Sequence, residues 1–369
     1  MLGSRDEVLD FFYAPADWDI SPDSAAADVH TQHWAQEMGL VRSPAAAQRL
    51  ESWHIATSAG CAFPRARGEA LNWIGNWITQ AFVFDDTFTS ISGDVPRVAA
   101  IIDHALRILD SDLDSPPPLP LWGATRALRD LLHRASTRMS EQWMWRFRHN
   151  MANVFRGHLS THMAAAKARP LDVPTIMIFR RDDIGLKPPI DMIDLFEGFE
   201  LPTIVSSTPS FRRARILLCE LIVIQNDVCS LQRDSVHSTD GVTNIVFALE
   251  RQHGSGLEHA VMQARQMYRD RLTEMSSAQK TFRTECMDLG LTGDFLANAE
   301  LYMNDLCGLV HGTLYAHITV AARGYLDETN TVPEVSEVLD DYDDCDLGSF
   351  RHVSDWATSS ASPVDRRSG

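Results

Sequence analysis

Hydrophobic residues recur at spacings of three and four along nearly the whole chain, and this constrains the fold more than any other feature. On an α-helix, positions i, i+3, i+4 and i+7 share a face, whereas a half-buried strand alternates every second residue. Residues 26–40, 45–58, 67–85, 97–110, 121–134, 137–166, 190–198, 211–233, 242–251, 256–289 and 292–325 fit the helical spacing better. Alternating β-branched runs joined by Asn-Gly or Asp-Gly turns are missing, and Asp240-Gly241 sits between two helical stretches. There is no GxGxxG, no P-loop and no internal repeat. The expected fold is all-α.

The breaks between these stretches are local. Ser115-Pro-Pro-Pro-Leu-Pro120, Lys187-Pro188-Pro189 and residues 206–210 read as short stiff connections, not as interdomain linkers. One domain is expected over 25–326, preceded by a segment of residues 1–24. Residues 327–369 differ: they are acidic around Asp340, Asp341, Asp343, Asp344 and Asp346, then small and polar, so a loosely ordered tail is expected.

Charge and length exclude several functions. A net charge of −17 repels polyanions, which argues against nucleic-acid and anionic-membrane binding. The six cysteines form no CxxC pair and read as buried reduced thiols. The opening MLGSRDEVLDFF lacks the basic-then-apolar pattern of a secretory signal. The richest apolar run, Ile216–Gln225, contains Glu220 and is too short to span a bilayer. A cytoplasmic protein without membrane insertion is expected.

Four groups of residues can carry chemistry. In Phe82-Val-Phe-Asp-Asp-Thr-Phe-Thr89, Asp85 and Asp86 close an apolar helix. Magnesium accepts one or two carboxylates plus phosphate oxygens and keeps its remaining waters; a solvated helix end is the plainer reading. Asn226, Ser230 and Asp234 stand four residues apart. Offsets of four and eight turn by about 40° and 80°, so an amide, a hydroxyl and a carboxylate share one helical face. All present oxygen, which suits Mg²⁺ and not zinc. The plainer reading is a capped helix end. Phe179-Arg180-Arg181-Asp182-Asp183-Ile184-Gly185 precedes a break, where an arginine can grip a phosphate with two N–H groups or merely belong to a surface ion cluster. Arg323-Gly-Tyr325 ends the last helical stretch, where a cation is also favoured by the helix dipole alone.

Taken together, these motifs resemble the class I terpene synthases of bacteria and fungi. That family carries an aspartate-rich DDxxD/E motif, an ND(L/I/V)xSxxxE triad and two diphosphate-contacting arginines. The triad matches at Asn226, Asp227, Val228, Ser230 and Asp234, with Asp in place of Glu, and Arg233 stands before the last acid. Gly241-Val-Thr-Asn244, Trp34 with Gly39-Leu40, and Phe63-Pro64 also look familial. Asn226 follows Asp85 by 141 residues and Arg180 by 46, and precedes Arg323 by 97, intervals similar to the family's. Two departures stand out: the fifth motif position is Thr89, and Gly324 separates Arg323 from Tyr325.

The resemblance covers about 25–325 and implies a single α-helical bundle around an apolar active-site cavity. It implies three Mg²⁺ ions, held by Asp85 on one rim, with Asp86 beside it, and by Asn226, Ser230 and Asp234 on the other. Arg180, Arg233 and Arg323 would bind the diphosphate. Arg180, Asp183 and Ile184 carry over as sensor, linker and effector, with Arg181 leaving the register open by one. Phe82, Phe88, Phe179 and His317 are candidates for the cavity, each with plain core packing as the other reading; His317 stands where the family often has Trp. The implied reaction is Mg²⁺-dependent ionisation and cyclisation of a prenyl diphosphate, farnesyl diphosphate being the family's commonest, to a cyclic sesquiterpene with release of diphosphate. The alternatives are a diterpene cyclase using geranylgeranyl diphosphate, a chain-elongating prenyltransferase, disfavoured by the missing second DDxxD, and a non-catalytic helical binding protein with a decayed site. Dimers are common in the family, so a homodimer stays open.

Overall fold

The computed structural model describes residues 4–319, apart from 92, 120, 168–169 and 237–242, and leaves the side chains of 89, 90, 233, 236 and 319 undescribed. The expectations at Arg323, Gly324, Tyr325 and the 327–369 tail, and at the side chains of Thr89 and Arg233, therefore lie outside the described residues.

Among the described residues every regular element is a helix. In chain order they are α1 (Arg5–Phe11), α2 (Ser24–Met38), α3 (Pro44–Ser52), α4 (Ile55–Ala62), α5 (Gly68–Ser90), α6 (Val95–Leu109), α7 (Gly123–Ser136) and α8 (Glu141–Ala166). Then follow α9 (Val173–Asp183), α10 (Lys187–Glu197), α11 (Thr203–Ser206), α12 (Pro209–Cys229), α13 (Leu231–Val236), α14 (Ile245–His253), α15 (Leu257–Asp288) and α16 (Gly293–Thr319). No helix among the described residues is long and apolar enough to cross a membrane.

The boundaries follow local chemistry. Ser140 accepts from the Trp143 N–H to start α8, and Asp172 accepts from the Thr175 N–H to start α9. Proline sits in the first turn of α3, α9, α10 and α12, where no N–H is missed. The stretch read as one helix over 45–58 is two, because His54 takes a left-handed conformation (φ 48°) between α3 and α4. The stretch 211–233 breaks at Ser230, which ends α12 before α13 begins.

α12 is the central post. Every residue from Leu217 to Gln225 is buried, as a helix enclosed on all sides must be. Its one carboxylate in that run, Glu220, is 3% exposed and meets Arg181 of α9 and Arg271 of α15. A second buried ion cluster pins α10 to α8: Arg146 bridges Asp191 and Asp194, and Asn150 donates to Asp191 at 2.6 Å.

The N-terminal segment joins the same core. Val8, Phe11 and Phe12 are buried, and Arg265 donates to the Phe11 carbonyl. Trp18 Nε1 donates to the Cys61 carbonyl, and Tyr315 donates to Pro15 and Ala16. The five described cysteines are free thiols, and all but Cys307 are buried.

Candidate active site

The helices enclose a cavity of about 310 Å³. Its apolar walls come from α4, α5, α8, α10, α12 and α16, with Phe63, Ile78, Met151, Pro189, Ile222 and Leu309 among them. Polar groups converge on it from α5, α9, α12, α13 and the segment before α14.

On the α12 side, Asn226 and Asp234 line the cavity and Ser230 is fully buried beneath them. The break at Ser230 does not scatter the three. Ser230 N–H donates to the Asn226 carbonyl at 2.8 Å, and Asp234 N–H to the Ser230 carbonyl at 2.9 Å, so the helical step of four continues across it. The Ser230 hydroxyl donates to Asp234 Oδ2 at 2.7 Å. Asn244 Nδ2 donates to the same oxygen and to the Asp227 carbonyl, both at 2.9 Å, while its Oδ1 caps α14.

On the α9 side, Arg180 spans three acceptors. It reaches Asp183 Oδ2 at 2.6 Å, Asn226 Oδ1 at 2.9 Å and Asp227 Oδ1 at 3.0 Å. Its neighbour Arg181 turns away to Glu220, so Arg180 is the arginine that faces the cavity. Burial opposes the Arg180 charge, but Asp227 and Asp183 outweigh it and raise its pKa above the ordinary value. Burial likewise opposes the Asp183 charge; His158 and Arg180 win and hold the carboxyl well below the usual range. Asp227 is pushed up to about 6 by burial, against the pull of Arg180 and the Ile245 N–H.

His158 on α8 completes this network, with Nδ1 2.8 Å from Asp183 Oδ1. Burial favours the neutral ring, yet Asp183 raises its pKa overall. Asp85 adds to that pull and lines the cavity half-buried; Asp86 beside it is buried and also lines it. Direct contacts thus join His158 to Asn226 through Asp183 and Arg180, and Asp85 acts on His158 through its charge. Neither His158 nor the anchoring role of Asn244 was legible as a site feature. For Asn244 the signals were the cap position before an apolar helix and the familial look of Gly241–Asn244; His158, one of three histidines in α8, gives none.

The α9–α10 break that presents Ile184 is shaped by two glycines. Gly185 has φ 72°, which a side chain resists, and both Ile184 and Gly185 line the cavity. Gly157 of α8 lets the end of α9 press against it: a Cβ there would lie 2.6 Å from the Asp183 nitrogen. Gly157→Ala must push Asp183 and Arg180 off their partners. We expect stability to fall by about 1–3 kcal/mol and turnover by about 100-fold, read from Tm and from diphosphate release. A variant with wild-type turnover would show that this contact does not set the site.

The four cavity candidates divide. Phe82 and His317 line it. Phe88 does not: it is fully buried in the core, its ring 5.7 Å from Phe84 and 5.3 Å from His158. Phe179 is half-buried on α9 and lies outside the lining, because Arg180, one residue on and 100° around the helix, takes the inward position.

The donor set near Asn226 suits a hard cation. Its groups are amide, hydroxyl and carboxylate oxygens, and no cluster of three or more His, Cys, Asp or Glu that could hold a metal occurs among the described residues. Asp85 adds a carboxylate on the α5 side.

Comparison with known proteins gives a consistent picture. Residues 76–274 match the family model described as terpene synthase family 2, C-terminal metal binding. The (-)-beta-caryophyllene synthase of Saccharothrix espanaensis, named as farnesyl diphosphate cyclizing, is 28% identical over 302 residues, covering 82% of this chain and 85% of that protein. The 7-epi-alpha-eudesmol synthase of Streptomyces viridochromogenes is 27% identical over 282 residues, 76% of this chain and 82% of its own. Among solved structures, an a-eudesmol synthase superposes with a TM-score of 0.75 at 25% identity, covering 83% of this chain and 97% of that one.

Proposed function

Because this chain belongs to the terpene synthases of family 2, we propose that it ionises and cyclises farnesyl diphosphate to a cyclic sesquiterpene, releasing diphosphate. One observation carries the residue assignment: Arg180 donates to both Asp183 and Asn226 in the wall of an apolar cavity that Asp85 also lines.

Asp85, with Asp86 beside it, and Asn226, Ser230 and Asp234 would hold Mg²⁺, three ions in this reading. Mg²⁺ supplies neutralisation of the leaving diphosphate as the carbon–oxygen bond breaks and its electron pair departs. Arg180 offers the diphosphate a planar fork of donors, charged at any working pH. Arg233 and Arg323 are proposed as its companions. Asp183 orients Arg180 and is itself fixed by His158, so the fork is aimed before substrate arrives. The Ile184 backbone, at the break, is proposed to meet the substrate end nearest the diphosphate. The apolar walls, with Phe82 and Trp77, exclude water and fold the chain; an aromatic face also attracts the cation, by about 2 kcal/mol where it is desolvated. The site of action is proposed to be the cytoplasm.

The test is direct. Purified protein is incubated with geranyl, farnesyl or geranylgeranyl diphosphate, with Mg²⁺ or with EDTA, and hexane extracts are read by gas chromatography–mass spectrometry. A cyclic C15 product from farnesyl diphosphate, seen only with Mg²⁺, is expected. A product from geranylgeranyl diphosphate alone would change the substrate, and no product from any would indicate a decayed site.

A further inference from the structure

We propose that Gln80 is a product-determining residue: its amide, buried without a partner in the cavity wall, acts on the carbocation that the cavity encloses. This rests on the reading of the chain as a prenyl diphosphate cyclase.

Two other buried polar side chains of α5 bond to its own backbone. Thr79 and Thr87 donate back to the Gly75 and Val83 carbonyls at 2.9 and 2.7 Å. Gln80 is 0% exposed, yet neither Oε1 nor Nε2 has a hydrogen-bond partner, and the residue lines the cavity. Buried amides are nearly always paired, since dehydrating one without replacement is costly. A chain selected for stability alone would carry leucine here, similar in reach and free of that cost.

The position narrows what the amide can meet. The diphosphate-facing network runs from His158 through Asp183 and Arg180 to Asn226, and Gln80 takes no part in it. Along α5 its neighbours on the same face are Trp77 and Phe84, which also line the cavity. Neither amide atom is accessible to a water-sized sphere, so Gln80 is not placed to hold a water for capture. A positive charge remains. An amide dipole acts at a distance through a low-dielectric wall, and its oxygen can turn inward without breaking a hydrogen bond. It then favours cations with charge on the carbons nearest α5, which biases the branch point between products and leaves ionisation at the other network untouched.

The test is Gln80→Leu assayed beside wild type for product ratio, diphosphate release and Tm, on whichever prenyl diphosphate the wild type turns over. Since no hydrogen bond is lost, Tm should stay level or rise. Diphosphate release should stay within a fewfold, while the ratio of major to minor products shifts by about tenfold. A folded variant with the wild-type product ratio overturns the proposal, and a lowered Tm with that same ratio assigns Gln80 a purely structural role. Should Gln80→Leu fail to fold, Gln80→Met is read by the same criteria. If the wild type turns over no prenyl diphosphate, the functional reading and this proposal fall together; if it turns over geranylgeranyl diphosphate only, the substrate changes and this test still decides.

Discussion

Asn226→Ala should lower Mg²⁺-dependent turnover by on the order of 10³-fold while leaving the protein folded. The amide oxygen of Asn226 lines the cavity and accepts from Arg180 Nη2 at 2.9 Å. Alanine offers no oxygen to a cation or to the arginine. It is also the best helix former, and Asn226 is half-buried near the end of a long helix anchored by its buried apolar run, so the backbone has no reason to move. The two effects are separable by measuring diphosphate release against Mg²⁺ concentration and thermal unfolding on the same preparation. Turnover equal to wild type at saturating Mg²⁺ would sink the metal assignment for the whole Asn226–Ser230–Asp234 set. Asn226→Asp provides the comparison. It keeps an oxygen at that position but places a carboxylate beside Asp227, so a partial loss with altered Mg²⁺ dependence is expected.

The helical character was legible because a spacing of 3.6 residues is written into every buried face. The exceptions have local causes. His54 splits one apolar stretch into two helices by adopting positive φ, which a non-glycine side chain disfavours and no pattern announces. Residues 179–185 read as a basic cluster before a break, although Asp172 and Pro174 spell the start of a helix that runs to Asp183. In the site, Asn226, Ser230 and Asp234 stood out because a step of four repeats twice, and that step survives the end of α12 through two backbone hydrogen bonds. The choice between Arg180 and Arg181 was not legible. Adjacent residues point 100° apart, and what separates them is whether a partner distant in sequence, Asp227 or Glu220, faces each one. His158 and Gln80 left still less trace: each is one polar residue among others in a helical run, and only the packing of α5 against α8 gives it a meaning. The same limit explains Phe88 and Phe179, since the sequence marks aromatics without saying which side of a wall they occupy.

Arg180→Lys should cut turnover by about 10²- to 10³-fold, although the charge is retained. The guanidinium holds Asp183 with Nη1 and both Asn226 and Asp227 with Nη2, three acceptors from two helices. An ammonium is a point donor on a flexible stem and cannot hold that geometry. Arg180→Ala goes further, because it leaves Asp183 and Asp227 buried without their shared cation. Removing one partner of a buried ion pair costs about 3–5 kcal/mol, so this variant should lose stability as well as activity. The lysine variant is therefore the informative one: its Tm should fall less than that of alanine while its turnover falls nearly as far. Arg181→Lys supplies the contrast. Arg181 pairs with Glu220, which Arg271 also holds, so an ammonium there should leave turnover within a fewfold of wild type. If the two lysine variants behaved alike, the cavity-facing arginine would have no special part in the reaction, and the diphosphate would have to be held by residues on other helices.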